Sequence, residues 1–155
     1  MPEFEIIEVD ETPYLYVDRS TSHDPGEIGP AMGSAFQEVW SFMQAEGIAP
    51  TGGALSVYTS YDPEKMDFRS GFAIAPGDMA KASGAVKADV TPAGRAVHGT
   101  HKGPYSGIRQ SYGEMHAFVQ AKGVQFTAPT WEVYLNSPGE VPEEELLTEL
   151  YQALA

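Results

Sequence analysis

The stretch FMQAEGIAPTGGALSVY (residues 42–58) recurs 76 residues later as FVQAKGVQFTAPTWEVY (residues 118–134), and this recurrence predicts a duplicated fold. Seven of the 17 aligned positions are identical. The same spacing relates two apolar stripes of helical period, which are Met32, Phe36, Val39 and Met43 in the first and Ile108, Tyr112, Met115 and Val119 in the second. We therefore expect one domain over residues 1–155, built from repeats at approximately 4–76 and 85–155.

Each repeat predicts an extended segment, then a helix, then a strand. The first has a strand at 13–19, a helix at 29–46 ended by Gly47 and a strand at 54–61; the second has a strand at 94–100, a helix at 105–122 ended by Gly123 and a strand at 130–135. Further strands are predicted at 4–9, 69–75 and 85–90. The closing segment PEEELLTELYQALA predicts a helix that starts at Pro142, with Glu143, Glu144 and Glu145 at its positive end and Leu146, Leu147, Leu150 and Leu154 as its buried stripe.

These elements predict an α+β fold with pseudo-twofold duplicated strand-helix-strand halves. An antiparallel sheet would carry the two main helices on one face, and a central ligand groove would follow the axis between the halves.

The composition restricts the partners of the chain. Nine Lys and Arg against 22 Asp and Glu give a net charge of −13, which repels nucleic acid and anionic membrane surfaces. The chain has no Cys, so disulfides, thiolate metal sites and Cys nucleophiles are excluded. The N-terminus has acids where a signal peptide would carry bases, and no stretch approaches the roughly 20 apolar residues that span a bilayer. We expect a cytoplasmic protein.

Alternation along the predicted strand at 130–135 singles out a carboxylate. Trp131, Val133 and Leu135 share one side, so that, if these three pack beneath the helices, Glu132 and Tyr134 face the opposite side of the sheet. The repeat places Ser56 and Tyr58 at the matching positions, so only one half carries an acid. A single ligand bound asymmetrically would suit this arrangement, although a strand Glu is ordinarily a solvated surface residue and the tyrosines would also suit a half-wet sheet face.

Other chemistries have little support in the sequence. His98 and His101 are an odd number of residues apart, which places them on opposite faces of a continuous strand and argues against a His-based metal site. There is no GxSxG elbow, and GTHKGPYSG (residues 99–107) lacks the full phosphate-loop pattern. We expect neither a metal nor a cofactor.

The run His101-Lys102-Gly103-Pro104-Tyr105, followed by Ile108, Tyr112 and then Trp131-Glu132-Val133-Tyr134-Leu135-Asn136 with Pro138, resembles the second half of the GyrI-like family. This family comprises effector-binding domains of bacterial multidrug-responsive transcription regulators and related stand-alone proteins. The resemblance implies a pseudo-symmetric domain whose central groove takes aromatic, often cationic compounds. It also implies that the Glu of the Glu-x-Tyr pattern, here Glu132 with Tyr134, is the acid at the heart of the groove.

The candidate ligand-binding residues follow from this resemblance. They are Glu132 and Tyr134, with walls from Tyr14 or Tyr16, Trp40, Tyr58, Phe72 and Tyr105. A carboxylate desolvated among aromatic rings favours an incoming cation, because the cation neutralises the charge and the ring faces attract it. A sensor or sequestering protein is the favoured function. Because the sequence begins almost at once with a strand, we expect no DNA-binding segment before it.

Two other functions stay open at this point. Some stand-alone relatives resemble hydrolases that open strained cyclopropane-bearing toxins; in that case Glu132 would be a general base, and Tyr134 or Tyr58 would orient the nucleophile. A protein-interaction inhibitor is the third possibility, because an acidic surface can mimic nucleic acid. A protein partner or a homodimer is compatible with either of these two functions.

Overall fold

The computed structural model describes residues 3–59, 62–137 and 139–155, and in this part of the chain it contains eight strands and two α-helices. The strands are β1 Phe4–Val9, β2 Pro13–Thr21, β3 Pro50–Tyr58, β4 Met66–Ile74, β5 Lys87–Val90, β6 Gly94–Lys102, β7 Phe126–Tyr134 and β8 Leu147–Leu154. The helices are α1 Pro25–Glu46 and α2 Ile108–Lys122, and short 3-10 turns cover Pro76–Lys81, Tyr105–Gly107 and Glu143–Glu145. Ser60 and Tyr61 of the predicted first-half strand, and Pro138 of the motif, lie outside the described residues.

Local signals set the ends of both helices. Each helix ends at a glycine in the left-handed region, with φ of 70° at Gly47 and 69° at Gly123, as the sequence predicted. Helix α1 begins four residues before the predicted start, because the Asp24 side chain accepts a hydrogen bond from the Gly26 backbone N–H and caps it there. The first three residues of the second predicted helix form the Tyr105–Gly107 turn, and α2 proper starts at Ile108.

All strands form one antiparallel sheet in the order β1-β6-β8-β7-β3-β4-β2-β5. This order is symmetric about the β3–β7 pair: β4 and β8 lie next to the centre, β2 and β6 follow, and β5 and β1 form the edges. Both helices pack on one face, α1 over β2 through Val39 and Met43, and α2 over β6 and β8 through Met115 and Val119. The predicted α+β fold with an antiparallel sheet and two main helices is confirmed.

The predicted C-terminal helix is wrong. The three acids form a single 3-10 turn, and the chain then continues as β8 between β6 and β7, hydrogen-bonded to both. A helix in this place would leave the facing edges of β6 and β7 without backbone partners, which is costly in a buried sheet. The buried face of β8 alternates accordingly, with Thr148 and Leu150 fully buried next to the helices.

The opposite face of the sheet has no helix over it, yet its side chains are buried. Tyr14, Leu55 and Trp131 on that face are at most 4% exposed. Six strand spacings separate β1 from β2, about 29 Å in a flat sheet, whereas the four peptide units from Val9 to Pro13 span at most about 14 Å. The sheet must therefore curl, and its helix-free face is the concave one. The loops at Thr12 and Thr91 meet over this face. The Thr12 backbone N–H donates to the Thr91 hydroxyl oxygen, and the Thr91 backbone N–H donates to the Thr12 carbonyl oxygen.

Neither α-helix is long and apolar enough to cross a bilayer, within the residues that the structure describes.

The assignment of β8 as a strand predicts an unusual response at Thr148. Its buried hydroxyl has no hydrogen-bond partner among the described residues. Because an unsatisfied buried hydroxyl costs free energy, Thr148→Val should raise the free energy of unfolding by about 1 kcal/mol, measured by urea denaturation. Thr100→Val is the matched control: the Thr100 hydroxyl donates to Glu149 over 3.1 Å, and its removal should lower stability. Equal losses in both variants would contradict the assignment.

Candidate functional site

Glu132 is the centre of a buried polar cluster between the sheet and the two helices. Its side chain is 5% exposed. The Tyr134 hydroxyl donates to Oε1 over 2.7 Å, and the Tyr112 hydroxyl from α2 donates to Oε2 over 2.8 Å. Each carboxylate oxygen therefore has one phenol donor, and the two donors come from different elements of the fold.

The face on which this cluster lies differs from the expected one. Glu132 and Tyr134 point toward the helices, whereas Trp131 packs on the concave face and Leu135 is 52% exposed. The alternation was interpreted correctly as two groups, but the assignment of the apolar group to the helix side is wrong. Both faces of β7 are buried, so apolar character could not show which face the helices cover.

A run of aromatic rings extends from the turn before α2, past Tyr134 beside Glu132, to helix α1. Ring centroids are 5.9 Å apart for Tyr105 and Tyr134, 5.9 Å for Tyr134 and Phe36, 5.9 Å for Phe36 and Phe72, and 5.5 Å for Phe72 and Trp40. We call this run the aromatic row. Its inner members are half-buried, while Trp40 at one end is 41% exposed and Tyr105 at the other is 40% exposed. The row thus reaches solvent at both ends and contacts the carboxylate through the Tyr134 hydroxyl.

The structure brings together most of the predicted site residues. The aromatic row contains four of them, Tyr134, Phe72, Trp40 and Tyr105. Tyr58 lies close enough to Glu132 for the carboxylate charge to act on its hydroxyl. Tyr16 is not part of the cluster: it lies on the concave face with Tyr14, and the Arg69 guanidinium stacks on its ring at 4.4 Å.

Sequence reasoning missed two aromatic members, Phe36 and Tyr112. Both were assigned to the apolar stripes of the predicted helices. Phe36 and Tyr112 occupy equivalent positions in the two repeats, 76 residues apart, as do Tyr58 and Tyr134. An aromatic residue present in both repeats at a position that faces the centre of the sheet was therefore the signal that could have identified them. The structure also adds the buried Ser56 and Ser70 on the floor, with their hydroxyl oxygens 2.7 Å apart.

Burial dominates the electrostatics of the cluster. It raises the pKa of Glu132 above its ordinary value, although the hydrogen bonds from Tyr134 and Tyr112 and the nearby His101 act in the opposite direction. The pKa values of Tyr58, Tyr112 and Tyr134 are all raised well above the ordinary phenol value, first by burial and then by the charge of Glu132. The tyrosines therefore stay protonated and can act as hydrogen-bond donors.

The raised pKa of Glu132 gives a testable pH dependence. The carboxyl pKa of Glu132 is about 4.3 in the unfolded chain and higher in the folded protein. As pH rises between these two values, the unfolded state loses the proton first, so the free energy of unfolding falls. Glu132→Gln should therefore be more stable than the wild type at about pH 8, with a difference that shrinks toward pH 4.5. Urea denaturation of both proteins across this range measures the difference, in which contributions of the other carboxyl groups cancel. A difference that does not change with pH would contradict the assignment.

Comparisons with known proteins agree with this architecture. The C-terminal domain of EcmrR has a TM-score of 0.79 at 23% identity, covering 100% of this chain and 98% of that one. A hydrolase from Listeria innocua has a TM-score of 0.67 at 20% identity, with 99% and 92% covered, and SAV2435 bound to tetraphenylphosphonium has 0.66 at 12% identity, with 99% and 94% covered. No curated protein sequence matches the chain. The model of the GyrI-like small molecule binding domain matches residues 2–155, so the chain belongs to the GyrI-like family.

Proposed function

We propose that the chain binds a small aromatic cation between the sheet and its two helices, with Glu132 as the counter-charge. The observation that carries the proposal is the state of this carboxylate. It is buried and accepts hydrogen bonds from two neutral phenols. No Lys, Arg or His nitrogen forms an ion pair with it in the part of the chain that the structure describes.

A buried carboxylate without a cation is unfavourable, and its raised pKa expresses that cost. A bound organic cation would supply the missing positive charge. It would lose less hydration on burial than a metal ion or an ammonium group must lose. The ring faces of the aromatic row would add cation-π attraction of about 0.5 to 2 kcal/mol each. A neutral analogue of the same shape would gain only the contact with the rings.

Entry to the site would take place at the ends of the aromatic row. Trp40 and Tyr105 are partly exposed, and each contacts a single more deeply placed ring of the row, Phe72 and Tyr134 respectively. An aromatic ligand could replace these two ring contacts with contacts of its own and reach Glu132. The proposal therefore assigns Trp40 and Tyr105 to ligand contact, in addition to Tyr58, Phe72 and Tyr134.

Two further points support a small-molecule partner. The fold is shared with SAV2435, which binds tetraphenylphosphonium, an aromatic cation. The net charge of −13 attracts cations and repels nucleic acid. A cytoplasmic location, and a homodimer or protein partner, stay predictions from the sequence.

The charge can be tested with two ligands of similar shape. Tetraphenylphosphonium carries the positive charge, and triphenylphosphine oxide is a neutral analogue. Titration calorimetry should show that Glu132→Gln weakens tetraphenylphosphonium at least about tenfold, or 1.4 kcal/mol, and leaves triphenylphosphine oxide nearly unchanged.

Glu46→Gln is the charge control, since it removes one negative charge at the exposed end of α1. It should leave both affinities within about twofold of the wild type. Equal losses for the two ligands in Glu132→Gln, or equal effects of the two Gln variants, would rule out Glu132 as the counter-charge. Failure of the wild type to bind either compound would favour a protein partner.

A hydrolase is the second candidate, because Glu132 is a carboxylate of raised pKa held by two phenols, as a general base requires. The fold is also shared with a hydrolase from Listeria innocua. In this function Glu132 would take a proton from water while the water oxygen attacks a strained cyclopropane. One ring C–C bond breaks, and its electron pair passes into a conjugated dienone to form a phenolate. The proton is returned to the phenolate oxygen, so that the product is the substrate plus one water.

Replacement of single phenols separates the two functions. Tyr134→Phe and Tyr112→Phe each remove one donor to Glu132 and keep the ring. A binding protein should keep most of its affinity in both variants. A hydrolase should lose about 100-fold or more in the rate of the chemical step with little loss of binding. Single-turnover mass analysis with a spirocyclopropyl-cyclohexadienone measures the added water; recovery of the intact compound from the wild type would exclude hydrolysis of that substrate class.

A further inference from the structure

The concave face of the sheet contains a cavity of about 390 Å³ that does not include Glu132. Strand β7 separates the two regions, because Trp131 and Val133 line the cavity while Glu132 and Tyr134 point to the helices. The volume is within the range of small-molecule sites, about 300 to 1,000 Å³. We call it the concave-face cavity.

An interruption of the β3–β4 pairing opens this cavity. Pro50 pairs with Ile74 and Ala54 with Phe72, so the three residues Thr51, Gly52 and Gly53 face only Ala73. The second half has the same interruption: Phe126 pairs with Leu154 and Thr130 with Gln152. Residues 127–129 there face only Ala153. The two bulges occupy equivalent positions at the spacing of 76, but Ala128 and Pro129 carry side chains where Gly52 and Gly53 have none.

Packing explains one of these two glycines and not the other. A Cβ at Gly53 would lie 2.7 Å from the Tyr134 carbonyl oxygen, so no other residue fits there. A Cβ at Gly52 would meet only the Ala73 Cβ, at an ordinary 3.5 Å, and its φ is not in the left-handed region. The backbone thus accepts a side chain at position 52, and the glycine leaves space beside Ala73 that the cavity occupies.

The walls of the cavity are suited to an aromatic molecule without charge. The Trp131 and Tyr151 rings stack at 5.1 Å with an interplanar angle of 4°, and Leu55 and Val133 add apolar surface. Glu149, behind Tyr151, is already paired with His98. Asp10 is the carboxylate of the lining itself, and it is exposed at the rim, where it disfavours anions without providing a buried partner for a cation.

We propose that the concave-face cavity is a second ligand site, which takes an uncharged aromatic molecule of up to three rings. Ligand rings contact Trp131 and the apolar side chains beside it. Thr12 and Thr51 in the lining offer hydroxyls to one polar group of the ligand. The site is independent of the charge of Glu132.

The two tryptophans of the chain allow the sites to be observed separately. Trp131 lines the concave-face cavity and is 4% exposed, whereas Trp40 is at one end of the aromatic row. In Trp40→Phe, all tryptophan fluorescence therefore comes from Trp131. The probe is N-phenyl-1-naphthylamine, a neutral aromatic amine whose own emission rises in apolar surroundings; it should quench Trp131 with a saturable dependence on concentration.

Filling the cavity provides the decisive comparison. In the Trp40→Phe background, Gly52→Leu places a side chain against Ala73 and should weaken the probe at least about tenfold. Ala128→Leu places the same leucine side chain at the equivalent bulge and should leave the affinity within about twofold, as should Glu132→Gln. Gly52→Ala, the milder change, should weaken the probe less and keeps the test valid if Gly52→Leu does not fold.

Three results would overturn the proposal. They are the absence of quenching of Trp131, equal probe affinity in the Gly52 variants and in Ala128→Leu, and a loss of probe binding in Glu132→Gln as large as that in Gly52→Leu. The last result would assign the probe to the Glu132 cluster.

Discussion

Both faces of strand β7 are buried, because the helices pack on one face and the curled sheet encloses the other. Glu132 and Tyr134 lie on the helix side, and Trp131 and Val133 on the concave side. A strand buried in this way must have backbone partners on both edges, since its N–H and C=O groups are away from water. Strands β3 and β8 supply them, which fixes β8 as a strand and places the carboxylate at the middle of the sheet.

The elements that sequence reasoning predicted well are those with local signals. Gly47 and Gly123 end the helices, and the stripe at Val39 and Met43 packs as predicted. The failure at β8 has the opposite cause. Pro142, three acids and several leucines satisfy every local rule for a helix, but pairing with β6 and β7 decides the outcome. The repeat itself predicts a strand at this position. Strand β4 follows β3 in the first half, and β8 follows β7 at the equivalent position in the second half.

The candidate site was predictable where a residue type is unusual for its place, and not where it is ordinary. An acid stands at this position in only one of the two halves and matches the Glu-x-Tyr pattern of the GyrI-like family, so Glu132 and its neighbour Tyr134 could be identified as candidates. Phe36 and Tyr112 are ordinary members of apolar helix stripes, and the sequence does not show that the strand beneath them carries a carboxylate. Tyr16 shows the reverse error, since an aromatic residue on a strand buried on both faces can point either way.

The difference between the two halves at Ser56 and Glu132 has a physical reason. These residues are directly opposite each other on β3 and β7. Opposed residues on antiparallel strands have Cβ atoms about 5 Å apart, and two buried carboxylates at that distance could not both be ionised. Ser56 instead forms a neutral hydroxyl pair with Ser70. A symmetric sheet can therefore hold one ionised carboxylate at its centre. The halves agree where they build the scaffold, at Tyr58 and Tyr134 and at the helix ends. Glu132 and Gly52 are among the positions where they differ: the first places a buried carboxylate in only one half, and the second leaves space beside Ala73 that its equivalent Ala128 does not leave.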